Sequence, residues 1–136
     1  GYPSSALKRF LDGVFAKGLK SVLGDHLYTI RRSISVKGSA GWTGETVFCP
    51  TVVEVLGIDT LGEEKNTYNT DVQFPIFCNS SFYRVKRHNG SRAWWWLATP
   101  FNGNEFSFCH LNDNGTGSMT SAANKEGGIS PAFCTC

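Results

Sequence analysis

Glu105-Phe106-Ser107-Phe108-Cys109-His110-Leu111, then Asn112-Asp113-Asn114-Gly115, then Thr116 to Ala122, is the stretch that decides the fold class. Phe106, Phe108 and His110 alternate with smaller or polar neighbours, which predicts a strand with one face turned to a core. Asn112 to Gly115 supplies residues that tolerate positive φ, so a hairpin turn is expected there and a second strand over 116–122. Upstream lies Trp94-Trp95-Trp96-Leu97, a short apolar run that Thr99-Pro100 is expected to stop. In an extended chain neighbouring side chains point to opposite faces, so Trp94 and Trp96 project away from Trp95. The spacing is compatible with core packing of all three tryptophans and with exposure of at least one. Downstream, Gly127-Gly128 reads as a turn and Ile129 to Cys134 as a last strand.

The N-terminal half has a different period. Leu7, Phe10, Leu11, Val14, Phe15, Leu19, Val22 and Leu23 recur at three- and four-residue steps, predicting a helix over 6–23 with Lys8, Arg9, Lys17 and Lys20 off its apolar face. Ser4 and Ser5 are suitable N-caps and Gly24 a suitable stop; Gly13 and Gly18 weaken the interior and favour a break. Residues 26–36 read as extended, 37–41 as a loop and Val47-Phe48 as a short strand. Pro50 stands at the first position of a helix that Gly57 closes. Residues 58–71 read as an irregular loop and His88-Asn89-Gly90 as a turn. Helices early and antiparallel strands late make an α+β domain, with the N-terminal helix packed on a small antiparallel sheet.

Composition bounds the function. The 136 residues make about one domain, taken as a single unit over 1–136. The start at Gly1-Tyr2-Pro3 is read as the C-terminal part of a longer protein or a processed product. Charged residues are 18%, below the roughly 25% usual for soluble domains, and the net charge is +2. The nearest candidate for a basic patch, Arg84-Val85-Lys86-Arg87 with Arg92 nearby, is extended by no stripe, so no nucleic acid is expected as a partner. No apolar run reaches the roughly 20 residues that span a bilayer. The five cysteines, Cys49, Cys78, Cys109, Cys134 and Cys136, mostly follow phenylalanine and are read as reduced, small buried hydrophobes.

No constellation for catalysis or metal binding emerges. His26, His88 and His110 stand apart, so no metal and no cofactor are expected. Cys109 and His110 are strand neighbours on opposite faces and cannot share a proton. Asn112 to Gly115 lacks the acid spacing of a calcium loop.

The remaining signal is aromatic, and here a resemblance enters. Trp95-Trp96-Leu97-Ala98-Thr99-Pro100, with Gly128-Ile129-Ser130-Pro131-Ala132-Phe133 some thirty residues on, resembles an uncharacterised domain family of gut bacteria and their phages. Val47-Phe48-Cys49-Pro50-Thr51-Val52-Val53-Glu54-Val55-Leu56-Gly57 and Ser5-Ala6-Leu7-Lys8-Arg9-Phe10-Leu11-Asp12 are similar to two further elements of that family. Ala98 and Ser130 depart from it, standing where arginine is common. The resemblance implies a C-type-lectin-like fold, as in phage receptor-binding proteins and the hypervariable proteins of diversity-generating retroelements. It further implies a non-catalytic binding role at a virion or bacterial cell surface after synthesis in the bacterial cytoplasm. The expected partner is a protein or glycan receptor on a cell surface, or other virion or surface-protein subunits. The ligand-display region is placed at 92–126, with Arg92, Trp94, Asn102, Asn104, Phe106, His110, Asn112, Ser118 and Thr120 as contacts. A structural virion or assembly component is the alternative. An oxidase of the formylglycine-generating type, which shares the lectin-like architecture, is a third reading.

Overall fold

The computed structural model describes residues 1–36, 39–58, 61, 72–102, 104 and 106–136. It is a mixed α+β fold: an N-terminal helical segment followed by several small antiparallel sheets.

Helix α1 (Ala6–Phe10) starts at Ser5, whose side chain accepts from the Lys8 N–H. One π-helical turn (Leu11–Phe15) joins it to α2 (Ala16–Leu23), with the Ala16 N–H reaching back to the Leu11 carbonyl. The chain therefore does not break at Gly13 but gains one extra residue in a turn. That residue rotates the buried stripe. Leu7, Leu11, Phe15, Ala16 and Leu19 face the interior, whereas Phe10, Val14 and Val22, assigned to the apolar face by periodicity, are exposed. Lys8, expected off the face, is buried.

Strands β1 (Leu27–Tyr28), β2 (Ile30–Val36), β3 (Ser39–Glu45) and β4 (Val47–Phe48) follow. β2 pairs with β3 along its whole length, so Ser39 to Gly41 belong to a strand rather than to the expected loop; small residues are tolerated there because the partner strand supplies the register. Helix α3 (Val52–Leu56) begins after Thr51, not at Pro50. Thr51 Oγ1 accepts from the Glu54 N–H and the Glu54 carboxylate accepts from the Thr51 N–H, a closed capping box. Gly57 ends the helix in the left-handed region. Most of the loop expected over 58–71 lies outside the described residues.

A short helix α4 (Pro75–Cys78) and a 3-10 turn lead to the hairpin β5 (Lys86–His88) and β6 (Ser91–Ala93), where Asn89 and Gly90 take the expected positive φ. Then come β7 (Trp95–Pro100), β8 (Ser107–Leu111) and β9 (Gly117–Ser121), a sheet in the order β7-β8-β9. Thr99-Pro100 does not stop β7. β7 lies at the edge of this sheet and a register shift falls between Trp96 and Pro100, the two settings in which a strand accepts proline. β10 (Ala132–Thr135) pairs with both β1 and β4.

The β7-β8-β9 sheet has a core on each face. Trp95, Leu97, Cys109 and Leu111 pack with Val52, Val55 and Phe77 on one side. Ala98, Trp96 and Phe108 pack on the other with Tyr2, Leu11, Ile34, Val47 and Cys49. Trp95, 1% exposed, is the largest fully buried side chain, and its indole N–H donates to the Arg84 carbonyl at 2.9 Å.

An ion network ties the N-terminal helix to this body. The Arg32 guanidinium bonds Glu45 and Glu54, each at 2.5 Å, and lies 4.0 Å above the Phe48 ring. Lys8 pairs with Asp12 and stands 3.8 Å from Glu45. Burial works against the charge on Arg32, and its two carboxylate partners outweigh that cost and hold it charged.

Candidate functional site

Strand alternation places Trp94 and Trp96 opposite to Trp95, as the sequence pattern requires. Their rings meet edge to face at 5.1 Å. Trp96 sits across from His110 in the β7-β8 ladder, and the His110 ring is 4.9 Å from Trp94 and 6.2 Å from Trp96. These three rings form the centre of the candidate face.

His110 is only 8% exposed. Its Nε2 is 3.2 Å from the Asn112 Oδ1, while its Nδ1 has no hydrogen-bond partner. Burial lowers its pKa from the usual imidazole range, opposed by the bond to Asn112. His110 therefore stands neutral near pH 7 and backs the two indoles more than it offers contacts of its own. Asn112 is held in turn by Thr116 at 3.1 Å.

β9 completes the face. Ser118 lies opposite His110 and Thr120 opposite Phe108, both half-buried. Trp94, His110, Asn112, Ser118 and Thr120 thus share one side of the sheet. Asn102, Asn104 and Phe106 belong to the exposed β7–β8 connection at its end. Phe106 precedes β8 instead of alternating within it, and is 72% exposed. The Asn104 Oδ1 accepts from the Phe106 N–H at 3.0 Å, and the Phe106 carbonyl accepts from the Ala122 N–H. Arg92 is exposed on the β5-β6 hairpin, opposite Arg87.

The segment after β9 crosses this face. Gly128 exchanges hydrogen bonds with the Trp94 carbonyl and the Trp96 N–H at 2.9 and 3.0 Å. Gly127 lies flat on the indoles; a Cβ there would fall 2.2 Å from the Trp94 ring. The pair serves close approach, not the simple turn that its composition suggests.

Sequence reasoning missed an apolar cleft of about 300 Å³ beside the rings, lined by Tyr2, Leu7, Trp96, Phe108, Ala123 and Lys125 among others. The helix period marks Leu7 as inward-facing, but nothing local brings Tyr2 to it. The Tyr2 hydroxyl accepts from the Cys49 N–H at 2.9 Å, forty-seven residues away.

None of the five cysteines is in a disulfide; Cys49 and Cys109 are buried as expected, whereas Cys78 and Cys136 are exposed. Burial raises the Cys49 thiol far above its normal range, and its Sγ donates to the Trp96 carbonyl. Cys109 is buried on the opposite face from His110. Among the described residues no three His, Cys, Asp or Glu side chains converge as metal ligands. Among the same residues no helix is long and apolar enough to cross a membrane.

No curated protein and no solved structure matches the chain. A family profile does match, over residues 1–135, nearly the whole length. The chain belongs to the family described as Domain of unknown function (DUF6273).

Proposed function

We propose that the chain is a non-catalytic ligand- or receptor-binding domain of a phage or bacterial protein, C-type-lectin-like in fold, whose display region is 92–126. Its partner is a protein or glycan receptor at a cell surface. The observation that carries the reading is the division of labour along one sheet. Trp95, Leu97, Cys109 and Leu111 fill one core; on the other side, where Trp96 and Phe108 pack on the second core, Trp94, Asn112, Ser118 and Thr120 stay partly exposed beside them. Large rings beside short polar side chains make adaptable contacts at low entropic cost, as in antibody loops. The arrangement of an N-terminal helix on small antiparallel sheets is compatible with a lectin-like frame. Cys49 and Cys109 are buried too deeply to serve a thiol-dependent oxidase, which leaves Cys78, Cys134 and Cys136 for that reading.

The test is binding of the labelled domain to intact bacterial cells and to an array of cell-surface glycans. Wild type should bind a subset, and Ser118→Glu with Thr120→Glu should abolish that binding. A wild-type domain that binds nothing, or a double variant that binds equally well, refutes the reading.

A second reading, an assembly component, is favoured by one observation: Phe10, Val14 and Val22 leave apolar surface on the N-terminal helix. Solution mass separates the two. A stable oligomer that dissociates on Val14→Glu and Val22→Glu supports assembly; a monomer supports ligand display.

A further inference from the structure

A second concavity lies away from the Trp94 face, between the β2-β3 hairpin, α4 and β10. It measures about 750 Å³. Its walls include Phe48, Phe74, Ile76 and Phe133, with Trp42 and Arg31 on the hairpin side. Phe48 and Phe74 meet edge to face at 6.4 Å. Trp42, Ile76 and Phe133 are each 40% exposed or more, an unusual concentration of uncovered apolar surface in a small domain.

Its charge is one-sided. Arg32 and Glu54 both line the groove, but they neutralise each other within the buried network that also holds Glu45 and Lys8. Arg31 is different. It is exposed, its guanidinium lies 4.5 Å over the Trp42 ring, and it makes no ion pair among the described residues. Stacking on an indole fixes the plane of a guanidinium and leaves its N–H edge for an acceptor. A volume within roughly 300–1,000 Å³, a mostly apolar lining and one oriented polar group are the marks of a small-molecule site.

We propose that this groove binds a small amphipathic anion: a molecule with an aromatic or aliphatic body and a single carboxylate. The body lies against Phe74, Ile76 and Phe133, and the carboxylate takes a two-pronged hydrogen bond from Arg31. The site is independent of the Trp94 face and does not require that face to bind anything.

The experiment is a titration of the isotope-labelled protein with naphthoate, followed by backbone amide shifts, with uncharged naphthylmethanol as the comparison. Naphthoate should shift residues of β2, β3, α4 and β10 saturably and bind roughly tenfold or more tightly than the alcohol. Arg31→Gln should erase that preference. Ile76→Glu, which adds a negative charge at the exposed rim, should weaken the acid by a larger factor than the alcohol. Trp94→Ser should alter neither. The amide spectra report that each variant is folded. The proposal is overturned if naphthoate gives no saturable shifts up to its solubility limit, if the shifts fall on the Trp96 and Phe108 cleft, or if folded Arg31→Gln keeps the preference.

Discussion

Replacing Arg32 by Met removes the cation at the centre of the buried network while keeping most of its volume. In the native protein that guanidinium bonds Glu45 and Glu54 at 2.5 Å each and covers the Phe48 ring. Glu45 is fully buried, and its remaining cation, Lys8, stands 3.8 Å away with Asp12 already on it. Met therefore leaves two carboxylates poorly compensated in the interior. Removing one partner of a buried pair costs about 3–5 kcal/mol. A domain of this size is stable by about 5–15 kcal/mol, so the loss is a large fraction of the whole. With a urea m-value of about 2 kcal/mol/M the midpoint should fall by about 2 M, with m itself unchanged. Urea unfolding followed by tryptophan fluorescence measures both. The companion variant is Arg32→Met with Glu45→Gln and Glu54→Gln; the amide oxygen that replaces the Glu54 carboxylate can still accept from the Thr51 N–H. It should regain a substantial part of the loss, because the uncompensated charge is gone. A loss below about 1 kcal/mol for the single variant, or a triple variant no better than the single, would show that the network does not carry this energy.

Other outcomes follow from particular contacts. Gly127→Ala drives a Cβ into the Trp94 ring and should cost about 1–3 kcal/mol, whereas Gly18→Ala, in α2 with open space around it, should stabilise by about 0.5–1 kcal/mol; thermal melts of the two should move in opposite directions. Thr51→Ala opens the capping box of α3 and should cost about 1 kcal/mol or more by the same assay. His110 has a depressed pKa in the folded state, so below about pH 6.5 the unfolded chain takes up a proton that the folded protein resists. Its contribution is present at neutral pH and lost as pH falls through that window, and His110→Gln should flatten the stability profile there; equal slopes for both proteins would contradict the assignment.

Local signals carried well from sequence to structure. The Asn89-Gly90 turn, the Ser5 cap, the 112–115 turn and the opposition of Trp95 to Trp94 and Trp96 each depend on a few adjacent residues, and each is present. Features set by distant partners did not carry. Ser39 to Gly41 look like a loop until β2 supplies a ladder. The buried stripe of the first helix moves because one π turn inserts a residue, a change the apolar spacing alone cannot announce. Lys8 is buried because Glu45, thirty-seven positions on, comes to meet it. The candidate site divides in the same way. Trp94, His110 and Ser118 stand out in the sequence as contact candidates, but their common side comes from the ladder register and the cleft beside them needs Tyr2 and Leu7 from the other end of the chain.

The partly exposed side chains around Trp94 on the β7-β8-β9 sheet are proposed for display, and the Trp95 side together with the packed Trp96 and Phe108 for scaffold. Replacing Trp94, Asn102, Asn104, Asn112, Ser118 and Thr120 together, with cell-surface binding and the melting temperature measured on the same preparation, separates the two roles most directly. Binding should be lost while the variant still melts in one cooperative transition, at a temperature lowered by the loss of the Trp94 ring and of the Asn112 hydrogen bonds. Unfolding of the composite variant, or a folded variant that binds as the wild type does, would contradict this division.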